Sequence, residues 1–434
     1  MATATVLTHN REIAFGPYGG AELFFADIDG DGQQEILAYQ GPGVFGTGLL
    51  RHIPHVAAAY PQSTCLSAFR ADGTRMWTYG EPNPVDSPYI CHAHESCVAT
   101  GDVDNDGVVE VAMATGDAIH VLDGPTGRLK GTASLPEDNF FIVQILGEPT
   151  SPGEAAIVTK NGENGYGQWQ YGEPVVGIGT DLRPVWTMAV PGGGHHILVL
   201  DLDRDGHSEF LIGYCTVTPS GRCRCVVDGV DSESVDASSA HVDYTDIRQL
   251  RDGSLVLGIA GSDKAYLVTE TGKTLFVKPD THVQGAALGR FRDDTEYQLA
   301  IYNDDGPMVL YAPTGKELWR VSTSDKEQWP LGMPDAARGR TFHRNRPITT
   351  LPGPSDTILF SDGGWPWAMD GYGDISVQFA PPENSRQPEA ILPPQARADD
   401  MGYGFGAKVV DWEGNGQPAA VIYDRGHLWS FPCS

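Results

Sequence analysis

An acidic turn between two apolar runs recurs in register along the chain, and a chain built on such a repeat buries its strands only by stacking one copy on the next. Four segments carry it most fully: LFFADIDGDGQQEILAY from Leu23, SCVATGDVDNDGVVEVAMA from Ser96, ILVLDLDRDGHSEFLIGY from Ile197 and AKVVDWEGNGQPAAVIYD from Ala407. In each, an alternating apolar run ends in Asp-x-Asp-x-Asp-Gly-x-x-Glu or a close variant, and a second apolar run follows at once. That pattern predicts a strand, a tight turn and an antiparallel return strand. An outer pair follows in AIHVLDGPTGRLKGTASL and PMVLYAPTGKELWRVS, each with a Thr-Gly or Asp-Gly hairpin signal.

Weaker copies of the inner pair begin at Phe140, His241, His282 and Arg346 and bring the repeats to eight. Short antiparallel units of this kind, each packed face to face with its neighbours, predict an all-β fold: a single β-propeller over residues 1–434 with eight blades. Seven blades is the alternative, if one weak unit elaborates its neighbour. The last unit, 404–434, stops one strand short. The N-terminal segment 3–15, through TATVLT or EIAF, is expected to supply that strand and remove an edge that would invite aggregation.

Charge narrows the partners. Lys+Arg number 29 against Asp+Glu 57, a formal charge of −28, so phosphate backbones and anionic lipid heads are repelled. Apolar runs such as HILVLDL, FLIGY and VVEVAMA fall far short of the roughly 20 residues a membrane helix needs. No nucleic-acid or membrane partner is therefore expected, and the protein is expected to be a monomer. The start, MATATVLTHNREIAF, lacks a basic head and a long apolar core, so no signal peptide is visible. Seven cysteines leave one without a partner inside the chain; a small Cys91–Cys97 loop is sterically allowed, whereas a Cys223–Cys225 bond would be strained.

The acidic turns have the composition of a hard-cation site. Asp27, Asp29, Asp31 and Glu35 place carboxylates at alternate positions, with Gly30 and Gly32 letting the backbone fold around a centre. Asp102, Asp104, Asp106 and Glu110 repeat this, as do Asp201, Asp203, Asp205 and Glu209. Ca²⁺ takes about six to eight oxygen ligands, and these turns resemble the start of an EF-hand loop without its helices. The expected cofactor is structural Ca²⁺, with a further ion at the active site as an option. The fourth turn, Asp411, Glu413 and Asn415, ends in Ala419 and has lost a ligand.

A second register concerns the residues ahead of each first strand. The slot before the acidic turn falls near Gly19, His94, Asn139, His195 and His196, His241, His282, Arg344 and Arg346, and Tyr403. Four repeats carry histidine there, although only 13 of 434 residues are His. Such a set can donate, accept, titrate near neutrality or bind a metal. Trp329, Trp365, Trp367, Tyr166 and Trp169 lie in Gly/Pro-rich loops, where an aromatic face can stack on the C–H face of a sugar.

Taken together, the units resemble calcium-rich FG-GAP-like propellers, and the order of motifs is similar to that of the eight-bladed rhamnogalacturonan lyases. The resemblance rests on the acidic turns, on THVQGAALGRF followed by GKELWRVS, on SDGGWPWAMDGYG and on VVDWEGNGQPAAVIYDRGHLWSF. Seven-bladed ulvan lyases and rhamnose–glucuronate lyases are the related possibility. The resemblance implies a secreted polysaccharide lyase cleaving a uronic-acid-containing, rhamnose-containing plant or algal polysaccharide by β-elimination. Elimination of this kind would take Arg344 or Arg346, or a histidine-bound Ca²⁺, to neutralise the carboxylate, His94 or His282 as base, and Tyr403 or a second histidine such as His241 or His196 as acid. A glycoside hydrolase on the same scaffold would want facing carboxylates, and the slot holds few. A lectin-like propeller would repeat one sugar site in every blade, whereas here the slots differ.

Overall fold

The computed structural model describes residues 4–20, 22–41, 65–82, 96–136, 140–161, 174–190, 192–227, 241–303, 307–322, 348–361, 365–383, 385, 405–412, 414–424 and 426–433. The fold class is the all-β eight-bladed propeller, and the chain divides into two compact units of four blades each.

Pro17–Val242 forms one unit. Its blades are Glu22–Ala26, Glu35–Gln40, Cys65–Phe69 and Arg75–Gly80 (blade 1); Val98–Gly101, Glu110–Ala114, Ala118–Asp123 and Leu129–Ser134 (blade 2); Phe140–Ile145, Ile157–Asn161, Val175–Ile178 and Pro184–Met188 (blade 3); and Ile197–Leu200, Glu209–Ile212, Cys215–Val217 and Cys223–Cys225 (blade 4). Every blade is an antiparallel meander of sequential strands. The second strands, EILAYQ, EVAMA, IVTKN and EFLI, are buried at every position, so they are covered on both faces. The fourth strands carry exposed and half-covered residues and form the outer edge. Blades 2 and 3 share an apolar layer built from residues such as Val121, Phe140, Val143 and Ile178.

The other unit comprises Met1–Gly16 and Asp243–Ser434. Blades 5 and 6 run together as one six-stranded sheet, because Leu255–Thr269 and Thr274–Gly289 are long strands that each serve two pairings. Leu255–Ala260 pairs with Tyr244–Gln249, and the remainder of that strand pairs with the first part of Thr274–Gly289. The second part of Thr274–Gly289 pairs with Gln298–Asn303, and Pro307–Tyr311 and Glu317–Ser322 complete the sheet. Blade 7 is Ile348–Leu351, Thr357–Phe360, Trp367–Met369 and Ile375–Phe379; blade 8 is Gly406–Val410, Ala419–Tyr423 and His427–Pro432.

The N-terminal segment is shared between two blades. Arg11–Ala14 pairs antiparallel with His427–Pro432 and gives blade 8 its fourth strand. Thr5–Leu7 goes elsewhere, adding a parallel fifth strand to Ile375–Phe379 of blade 7. Ile13 and Phe15 are buried, so the pairing is anchored by side chains as well as by the ladder. Ile13→Ala is expected to destabilise this unit by about 2–5 kcal/mol. Removal of residues 1–15 should expose the edge of His427–Pro432 and promote association. Thermal unfolding and light scattering check both, and unchanged behaviour would show that the segment does not hold blade 8.

Candidate functional site

The acidic turns share one left-handed pattern at their described residues, Glu413 of the fourth turn lying outside them. Their fourth and sixth residues are left-handed throughout: Gly30 and Gly32, Asn105 and Gly107, Arg204 and Gly206, Gly414 and Gly416. Two such residues curl the loop so that the first Asp faces inward. Asp27 accepts from the N–H groups of Gly30 (2.7 Å) and Gly32 (2.9 Å). Asp102 accepts from Asp106 and Gly107, and Asp201 accepts from Gly206. The closing glutamate returns from the next strand to accept one further N–H. Glu35 takes that of Ile28 (3.0 Å), Glu110 that of Val103 (2.7 Å) and Glu209 that of Leu202 (3.1 Å).

In each of three turns, one carboxylate oxygen from each of two aspartates and the glutamate gather within 4.8 Å of one another. The groups are Asp27, Asp29 and Glu35; Asp102, Asp104 and Glu110; and Asp201, Asp203 and Glu209. Burial pushes the Glu35 carboxyl above the ordinary carboxylate range; the Ile28 N–H pulls it back, and Asp29, Asp31 and Asp27 push it further up. Glu209 behaves alike, raised by burial and by Asp203, Asp205 and Asp201 against the Leu202 N–H. Crowded carboxylates of this kind want a cation.

Side-chain cations lie beside the first and second of these turns. The Arg70 guanidinium lies 2.9 Å from Asp29 and 3.5 Å from Asp31. The Lys130 ammonium reaches Asp104 (2.7 Å), Asp106 (3.0 Å) and Glu110 (2.7 Å). Burial works against the Lys130 charge, but hydrogen bonds to Asp104, Glu110 and Asp106 outweigh it and hold the ammonium above its usual range. In the third turn Asp201 Oδ1 is buried and has no hydrogen-bond partner among the described residues. A metal ion satisfies such an oxygen, so the third turn fits a hard cation on its own geometry.

A different polar group lies at the opposite end of the blade 4 strands. Lys160 is 0% and His195 2% exposed, and Asn161 and His196 are also buried. The Lys160 ammonium donates to the carbonyls of Asn161 (2.7 Å) and Gly194 (2.5 Å). His195 donates its N–H to Val242 O (3.1 Å), and Val242 donates to Gly192 O (3.0 Å), which stitches residues 192–195 to the segment carrying His241. A Cβ on Gly194 would sit 1.6 Å from Val242 O, so no other residue allows this approach. The His195 and His241 rings meet edge to face, 5.2 Å between centroids at 88°. The ammonium of Lys160 thus holds, through Gly194 O, the loop that carries one ring of this histidine pair.

The structure brings together His195 and His241, with His196 next in the chain. His282 lies in the strand Thr274–Gly289, and its side chain is outside the described residues, as are His94, Arg344, Arg346, Tyr403, Trp329, Tyr166 and Trp169 altogether. Trp365 and Trp367 are 6% and 3% exposed. Trp365 packs on Phe405, Trp429 and Phe431, and Trp367 on Phe360, so both indoles belong to the core. Lys160 was not expected from the sequence. Its signal is a single charged side chain inside a strand, IVTKN, whose every residue is buried.

The geometry therefore defines an eight-bladed propeller with three cation-ready turns and a buried histidine–lysine group. No family model matches the chain. It is similar to the rhamnogalacturonan endolyase YesW of Bacillus subtilis (strain 168), 28% identical over 122 residues, which is 28% of this chain and 17% of that protein. Among solved structures, the exotype rhamnogalacturonan lyase YesX superposes with a TM-score of 0.59 at 16% identity, covering 97% of this chain and 72% of that one. BamB from Moraxella catarrhalis gives 0.52 at 14% identity, covering 99% and 98%. These structural likenesses concern the fold alone.

The Lys130 contact yields a test. Lys130→Met leaves the buried Glu110 without its charged donor and is expected to cost about 2 kcal/mol in the absence of divalent cations. Adding a divalent cation should recover most of that loss and bind more tightly than in the unaltered protein. Thermal unfolding with and without the ion measures it; equal midpoints for the two proteins in both conditions would remove any role for the ammonium.

Proposed function

We propose that this protein is a secreted polysaccharide lyase that cleaves a uronic-acid-containing, rhamnose-containing plant or algal polysaccharide by β-elimination, with Ca²⁺ in its acidic turns. The observation that carries the reading is the 28% identity over 122 residues to a rhamnogalacturonan endolyase, on a chain whose buried polar group contains two adjoining histidines. Elimination needs the uronate carboxylate neutralised, a base for the C5 proton and an acid for the leaving oxygen. His241 is half-buried, whereas His195 is enclosed, so His241 is the member of the pair that can meet a sugar. We assign it proton transfer, with His195 orienting it. Lys160 acts as a positioning residue through Gly194 O, holding the loop that carries His195 and His196. Arg344 or Arg346 neutralises the carboxylate, with His94, His282 and Tyr403 as the remaining acid–base candidates and Trp329, Tyr166 and Trp169 as stacking surfaces.

The assay is the ultraviolet absorbance of the unsaturated uronate formed when calcium-loaded protein is offered rhamnogalacturonan, ulvan and gum arabic. A rise on one substrate is expected, and His241→Ala should lower its rate by about 10²–10⁴-fold with the fold intact by circular dichroism. A non-catalytic carbohydrate-binding propeller is the second reading, favoured by the near-complete burial of Lys160 and His195. Absence of absorbance on every polymer, with sugar binding retained by calorimetry, would establish it instead.

Calcium is tested separately. Chelation should lower the unfolding midpoint, and Ca²⁺ should restore it better than Mg²⁺, which demands a stricter octahedron. Asp201→Asn should remove one bound ion in a calorimetric titration while leaving the other turns unchanged. An unaltered stoichiometry would show that the third turn holds no ion.

A further inference from the structure

The outer hairpin of blade 4 gathers three of the seven cysteines onto one face. Cys215 is directly opposite Cys225, and Val217 is opposite Cys223. Directly opposed residues project to the same side of a sheet, and residues two apart in a strand share it. Cys215, Cys223 and Cys225 therefore point the same way, and all three are thiols here.

The ladder pattern decides which pair is close. Val226 N–H donates to Tyr214 O (2.7 Å) and Thr218 N–H to Arg222 O (3.0 Å). Alternation along an antiparallel pair then makes Cys215/Cys225 and Val217/Cys223 the non-hydrogen-bonded positions, where the Cα atoms approach to about 4.5 Å. A disulfide accepts Cα separations of about 4.4–6.8 Å. The diagonal from Cys215 to Cys223 is longer, about 7–8 Å at Cα, yet still within reach for passing contact.

The register cannot drift. Gly221 is left-handed and donates to Thr218 O (2.8 Å), Arg222 N–H donates to Thr218 Oγ1 (3.1 Å), and the Trp186 indole of blade 3 donates to Pro219 O (2.9 Å). A Cβ on Gly221 would meet that indole at 3.0 Å, so the turn is seated on it. Accessibility is graded. Cys215 is buried, Cys225 is half-buried and Cys223 is exposed. The three sulfurs are not among the metal-sized groups of three gathered within 4.8 Å in the described residues, which favours pairwise S–S chemistry over a trithiolate.

We propose that this hairpin is a thiol–disulfide exchange site: Cys215 and Cys225 close a cross-strand disulfide, and Cys223 is the thiol through which a low-molecular-weight disulfide enters. The Cys215 thiol donates to Cys223, which holds the Cys223 thiol below its usual range and readies it as the attacking thiolate. Cys223 Sγ attacks the disulfide RSSR, forming Cys223–S–S–R and releasing RS⁻. Cys215 Sγ, losing its proton, attacks the R sulfur of that mixed disulfide, forming Cys215–S–S–R and returning Cys223 as thiolate. Cys225 Sγ, losing its proton, then attacks Cys215 Sγ, forming the Cys215–Cys225 bond and displacing the second RS⁻. Two protein thiols are oxidised, RSSR is reduced to two RSH, and the two protons lost by the protein go to the leaving thiolates.

The full chain incubated with glutathione disulfide, alkylated and digested with trypsin without reduction, tests the proposal. Arg222 and Arg224 flank Cys223, so cleavage separates all three cysteines and the linkage reads unambiguously by mass. The expected product is a cross-link between the peptides holding Cys215 and Cys225, lighter by two hydrogens, with Cys223 alkylated. Cys223→Ser should slow its formation severalfold while leaving the product unchanged. A glutathione adduct that persists on Cys223 with no cross-link, or a final bond to Cys223, would overturn the proposal. So would no reaction in the folded protein when the urea-unfolded chain reacts, or zinc-dependent protection of all three thiols from alkylation. None of these readouts on the unaltered chain depends on whether a variant folds.

Discussion

A side-chain oxygen that accepts a backbone N–H across the turn between the first and second strands is the interaction on which the blades depend. The second strand is covered on both faces, so a donor left unmet beside it has no water to turn to. Glu35, Glu110 and Glu209 meet that need for Ile28, Val103 and Leu202. Gln298 does the same in blade 6, where its Oε1 accepts from Arg292 N–H at 2.9 Å and the side chain is fully buried. A neutral amide closes that turn as well as a carboxylate closes the others. Closure therefore requires the oxygen and not its charge. The buried negative charge of the three glutamates, with two aspartates beside each, is a separate property, and a cation is the simplest physical reason to keep it.

Much of the fold was legible because its repeat is local. Each strand–turn–strand unit announces itself by apolar alternation and turn residues within about twenty positions, and all eight units identified in the sequence became sheet. What local periodicity does not carry is pairing between distant segments. Both TATVLT and EIAF read as edge strands, but only Arg11–Ala14 joins blade 8, while Thr5–Leu7 runs parallel to a strand of blade 7. The merging of blades 5 and 6 was equally hidden. Leu255–Thr269 and Thr274–Gly289 continue through Gly261-Ser262-Asp263 and Pro279-Asp280, turn residues that the sequence offers as breaks.

The candidate sites divide along the same line. The cation turns were readable because all their ligands fall within nine consecutive residues, and Asn105 and Arg204 take the left-handed position of Gly30 despite their side chains. His195 and His241 were found by register, although their ring contact depends on the bonds stitching Gly192 and His195 to Val242. Lys160 was missed because a lysine at the end of an apolar strand reads as a solvated terminus; only tertiary packing buries it. Trp365 and Trp367 erred the other way. A Gly/Pro-rich loop suggests exposure, but loop composition fixes the backbone and not where an indole goes, and Trp365 Nε1 finds Phe379 O at 2.7 Å inside the core.

Charge is distributed along the strands as well as among them. In blade 4 the strand Ile197–Leu200 begins after His195 and His196 and is followed by Asp201, so four residues separate the histidines from the acidic turn. Four strand residues span about 13 Å, beyond the roughly 8 Å over which exposed charges act at physiological salt. Lys160, next to last in the second strand of blade 3, bonds Gly194 O at the histidine end. In blade 4 the turn carboxylates and the two histidines therefore lie at opposite ends of one strand. Cations bound in the turns would deepen that division by neutralising the acidic end without touching the histidines.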